Sequence, residues 1–164
     1  MLSPYNYFYD NSSSTYKFST KKGIEYSVAF LVDETLNSVT GDEITINNVY
    51  QIVIDKLTDT KEPLDARVAL TIDNIISAFF LSNENVLIFF CSDSDNKERK
   101  RYEAFKRWYK NSPNKKHIDK LDNIIQYDSV KVYSSLLYHN NHPQKSLLSM
   151  AFKGIQTIID NDEK

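Results

Sequence analysis

The chain has 164 residues, 41% of them hydrophobic and 26% charged, with a formal net charge of −2. That length suits one ordinary domain with a real core, and that composition excludes an intrinsically disordered chain. No apolar run approaches the roughly 18 residues of a membrane helix, and Cys91, the only cysteine, excludes an internal disulfide.

The first residues, MLSPYNYFYDNSSS, hold no Lys or Arg and no continuous apolar stretch, so they read as no secretory leader, and a cytoplasmic location is the default expectation. Residues 1–15 are expected to form an N-terminal arm or edge strand and a loop. YKFST, the turn KKG and IEYSVAFLV then read as a β-hairpin, with Gly23 supplying the turn conformation. Residues 33–43 read as a polar connection. ITINNVYQIVIDKL reads as a third strand, apolar on both sides and therefore central.

The period then changes. Val68, Ile72, Ile75, Ile76, Phe79 and Phe80 follow helical spacing, with Pro63 and Asp65 suited to the helix start. Val86 to Cys91 reads as a buried strand. Residues 96–110 read as a second helix, entered through Asp95 and Glu98 at capping-box spacing. Ser112-Pro113-Asn114 breaks it. Ile124–Tyr127 and Val130–His139 read as two strands or one bent strand, and Leu147 to Ile159 as a last amphipathic helix containing Gly154. The order β-β-β-α-β-α-β-β-α predicts an α+β fold: a mostly antiparallel sheet with about three packed helices. The expected division is the arm, a single domain over 16–160 and a polar tail over 161–164.

Charge is distributed unevenly. Residues 97–120 hold ten of the 20 basic residues and three acids, a net of +7 that leaves −9 for the rest. On a helical wheel Tyr102, Phe105 and Tyr109 share a face with Trp108 at its edge. Arg99, Lys100, Lys106, Arg107 and Lys110 take the opposite arc, with Glu103 among them, and Lys115, Lys116 and Lys120 follow. A docked helix with a basic outer face suits an anionic partner. The plain alternative is a solvated, salt-bridged surface.

At the head of this helix stand Asp93 and Asp95. Carboxylates past a buried strand could bind a divalent ion, or could simply cap the helix and close a turn. Glu98-Arg99-Lys100 matches half of a nuclease motif, but that half belongs on a strand and here falls in a predicted helix. Arg101 lies on the apolar side of the wheel, where it calls for a carboxylate partner: Asp93, Asp95 or Asp65. His117, His139, His142 and Cys91 lack metal-ligand spacing and read as structural or surface residues. The only glycines are Gly23, Gly41 and Gly154, from which no phosphate-cradling loop or nucleophile elbow can be built.

The runs GIEYSVAF, DARVALTIDNIISAFF and VLIFFCSDSDNKERKRYEAFKRWY resemble a family of small bacterial proteins, mainly of Bacteroidetes, described as a domain of unknown function. The resemblance covers about residues 5–159. It is most specific at Cys91-Ser92-Asp93 with Asp95, Arg101, Phe105 and Trp108. It implies a single small bacterial domain and brings no activity, cofactor or catalytic residue.

Together these features predict a binding or regulatory module rather than an enzyme. It would act through the basic face (Arg99, Lys100, Lys106, Arg107, Lys110, Lys115, Lys116) on a protein or nucleic-acid partner. No cofactor and no membrane are expected. The competing reading is a metal-dependent phosphoryl-transfer enzyme or nuclease built on Asp93, Asp95 and Arg101. A homodimer joined through strand edges or aromatic patches is compatible with either.

Overall fold

The computed structural model describes residues 2–41, 43–61, 65–92 and 96–156; of residues 92, 96–98, 101, 104 and 127 it describes the backbone alone. The expected Asp93, Asp95, the capping box, Pro63, the Arg101 side chain and the end of the last helix lie outside the described residues. The elements are β1 (Tyr7–Asp10), β2 (Thr15–Ser19), β3 (Glu25–Val32), α1 (Thr35–Thr40), β4 (Val49–Lys56), α2 (Ala66–Phe79), β5 (Val86–Ser92), α3 (Asn96–Asn111), a 3-10 turn (Pro113–Lys116), β6 (Ile118–Tyr127), β7 (Val130–His139) and α4 (Lys145–Lys153). The fold is α+β. Seven strands run in the order β1-β2-β3-β4-β5-β7-β6; β4–β5 is parallel, and β1–β2, β2–β3, β5–β7 and β6–β7 are antiparallel. Contacts divide the chain into two compact units, residues 1–31 with 52–81 and residues 32–51 with 82–164.

In the first unit the N-terminal arm is an edge strand on the chain's own sheet: Tyr7–Asp10 pairs with Thr15–Phe18. Tyr5, just before it, is buried. Its backbone N–H donates to the Thr71 hydroxyl at 2.8 Å and its own hydroxyl donates to Asp65 at 2.7 Å. The Arg67 guanidinium lies 3.8 Å from the centre of its ring. Asp65 caps α2, as its position in the sequence predicts, by accepting from the Arg67 N–H at 2.9 Å. The α2 stripe buries Ile75 and Ile76, with Thr71 fully buried among them. A polar residue is tolerated there because Thr71 both accepts from Tyr5 and donates to the Arg67 carbonyl. Gly23, at φ +80°, closes the β2–β3 turn.

In the second unit two expectations fail locally. The connection 33–43 contains the helix α1, whose Leu36 is buried and whose end is closed by Gly41 in the left-handed conformation. The third strand starts at Val49 rather than Ile44. The Asn37 side chain instead holds the backbone of Ile46 on both sides, accepting from its N–H at 2.7 Å and donating to its carbonyl at 3.0 Å, and Asn48 follows at φ +62°. Both diversions take polar groups that a ladder would otherwise use.

β5 pairs with β4 on one side and, over its full length, with β7 on the other. It is continuously apolar because both of its faces are covered. On one face Val86 and Ile88 join Leu136, Tyr138 and Ile125 beneath Leu36 of α1 and Leu148, Ala151 and Phe152 of α4. Gly154 ends α4, where a Cβ would stand 3.0 Å from Val39 Cγ1. The other face carries α3.

Candidate functional site

α3 docks through aromatic rings, as its periodicity predicts. Phe105 stacks on Phe89 of β5, with centroids 4.8 Å apart. Tyr102 lies between Phe89, at 6.5 Å, and Tyr133 of β7, at 5.2 Å. The Tyr109 hydroxyl donates to the Ile118 carbonyl at 2.6 Å, fixing the far end of the helix to the start of β6. Trp108 is half-buried beside Phe105. The opposite arc is then held outward by the same periodicity: Arg99, Lys100, Lys106, Arg107 and Lys110 are all exposed. Lys115 and Lys116, on the 3-10 turn, are exposed as well, and the Lys115 ammonium donates to the Lys110 carbonyl at 2.9 Å. Among the described residues no ion pair involves any of these seven cations. Glu98, Arg99 and Lys100 are helical, not extended.

Lys120 does not join this surface. β6 begins at Ile118, so Lys120 is a strand residue, and its side chain is only 8% exposed. It lies on the face that α3 covers, pairs with Asp122 and stands 5.8 Å from the centre of the Tyr109 ring. Asp122 also accepts from the Ser135 hydroxyl at 2.6 Å, and both bonds end on Oδ1. Burial raises the cost of the Asp122 charge. The bonds from Lys120 and Ser135, with the charges of Lys120 and Lys106, outweigh it and hold the carboxyl below its ordinary range. Burial raises the Tyr102 phenol, against a hydrogen bond with Ser135 and with help from the Asp122 charge.

Between α3 and the edge strand β6 a groove of about 500 Å³ opens beside this network. Arg99, Tyr102, Glu103 and Lys106 border it from the helix, and Asp122, Asn123, Ile124 and Tyr133 from the sheet. Ile124 is 56% exposed. Of the groove residues, Arg99 and Lys106 are expected from sequence as binding residues, and Tyr102 and Glu103 only as members of the two helix faces. Asp122 and Asn123 precede the strand expected over Ile124–Tyr127, and Ile124 is its first residue. The available signal is the alternation of Lys120 and Asp122, opposite charges two apart on one strand face, facing Ser135 in the next strand.

The histidines are structural. His142 is buried: its Nε2 meets the Glu84 carbonyl at 3.1 Å and its Nδ1 accepts from the Gln144 N–H at 2.9 Å. That places the proton on Nε2. Burial lowers its basicity below the ordinary histidine range. His117 and His139 stack with centroids 6.2 Å apart, and Cys91 is buried. Among the described residues no cluster of three His, Cys, Asp or Glu side chains could hold a metal ion, and no helix is long and apolar enough to cross a membrane.

No curated protein and no solved structure shows significant similarity to the chain. A family match covers residues 64–154, which takes in α2, β5, the whole of α3 and both walls of the groove, and leaves out the GIEYSVAF run. The chain belongs to the family of unknown function DUF6169.

Proposed function

We propose that the chain is a binding or regulatory module, not an enzyme, and that it docks nucleic acid on the basic face of α3 and the following turn. The observation that carries this reading is the set of seven exposed cations, Arg99 to Lys116, without an ion pair among the described residues. Cations so close together repel one another, and a salt-bridged surface would relieve that repulsion locally. Here the relief is left to a polyanion, whose bound counterions are released when the phosphates meet the face. The rings of Tyr102, Phe105 and Tyr109 serve this function indirectly by keeping the helix seated. A cytoplasmic location fits such a partner.

The test is fluorescence anisotropy with labelled DNA and RNA at low salt. Wild type binds and Arg107→Glu binds at least several-fold more weakly, while its thermal stability is unchanged. Retention of labelled acidic protein with no retention of nucleic acid would move the same face to a protein partner.

A further inference from the structure

We infer that the groove between α3 and β6 seats an unpaired base of a single-stranded nucleic acid, whose phosphates lie on Arg99 and Lys106. This rests on the proposed function and names the form of nucleic acid. Four observations support it. Arg99 and Lys106 belong both to the basic face and to the groove, so a backbone tracking the face passes its mouth. Tyr133 is half-buried in the groove, braced from behind by Tyr102 at 5.2 Å, and a braced ring is a stacking platform. The exposed Ile124 adds apolar surface on the strand side. Asp122 presents a carboxylate, which accepts from the N–H groups on the Watson–Crick edge of a base.

That edge is free only when the base is unpaired, and a base stacked inside a duplex cannot reach a ring set back between helix and strand. Of the two carboxylates that line the groove, Asp122 is balanced by Lys120, and Glu103 stands one turn from both Arg99 and Lys106 on the helix. The groove volume of about 500 Å³ is also within the usual range for small-ligand sites.

Competition anisotropy separates this inference from the reading beneath it. The probes are a single-stranded 12-mer and a hairpin duplex with the same number of phosphates, at one fixed salt concentration. The single strand is expected to bind about 10-fold more tightly, and Tyr133→Leu to remove about that factor from the single strand alone. Arg107→Glu should weaken both probes alike. Should Tyr133→Leu fail to fold, Ile124→Ser, at an exposed position and without added charge, should weaken the single strand with the same selectivity. Equal binding of both probes, unaffected by either groove variant, would overturn the inference and leave the basic face standing. Absence of binding by both would remove both. A free mononucleotide that competes as well as the 12-mer would overturn the assignment of a strand.

Discussion

The Ser135 hydroxyl donates to Asp122 Oδ1 at 2.6 Å, and these two residues are direct cross-strand partners on β7 and β6. One is fully buried and the other is on the sheet edge, so the bond carries the order of the core out to the groove. It also fixes the carboxylate that keeps Lys120 paired under α3.

Asp122→Asn therefore leaves a lysine side chain, 8% exposed, without its counter-ion. The expected loss is about 1–3 kcal/mol, the cost of an unsatisfied buried charge-bearing group rather than the worth of a surface pair. Lys120→Met added to Asp122→Asn should recover most of it. Urea denaturation of the two single variants and the double variant gives the coupling; additive losses would contradict the pairing.

His142 should make stability depend on pH. Its folded-state basicity is lowered, so the unfolded chain binds more protons as the pH drops. The contribution is complete above the ordinary histidine value of about 6.5 and is lost as the pH falls from there through the lowered folded value. Denaturation midpoints of wild type should fall across that window, and those of His142→Gln should fall less. Parallel curves would exclude His142 as the source.

Gly154 has an ordinary φ of −79°, so its need for glycine is steric. Ala there would bring a Cβ to 3.0 Å from Val39 Cγ1. Gly154→Ala should cost about 1 kcal/mol, and in a Val39→Ala background the same change should become neutral or stabilising. Thermal melts of the four proteins decide this.

Tyr5→Phe removes the donor to Asp65 and keeps the ring against Arg67. A loss of about 0.5–1.5 kcal/mol is expected. Deletion of residues 1–10 should be far more damaging, because it removes β1 and the Tyr5 N–H that satisfies the fully buried Thr71. A truncated chain as stable as the whole would show that the arm is dispensable.

Much of this architecture is legible in the sequence where burial is unambiguous. β5 has a run of six apolar residues that only a strand covered on both faces needs, and the α3 stripe separates its rings from its cations at every position but Arg101. The α+β class and the central place of β4 follow from the same patterns. Less is legible where polar side chains replace backbone partners. Asn37 captures Ile46 and so converts an expected strand start into a loop, and α1 is too short to show a period. β6 begins six residues before its apolar end because Lys120 and Asp122 neutralise one another beneath a helix. Half of the groove was hidden by that pair.

The measurement that tests the account most directly is the salt dependence of nucleic-acid binding by wild type and by Arg107→Glu. If four to six of the exposed cations meet phosphates, log Kobs should fall linearly against log salt with a slope of about −3 to −5. Arg107→Glu should make that slope shallower by about 1. Binding that ignores salt, or no binding at low salt, would contradict a nucleic-acid face on α3.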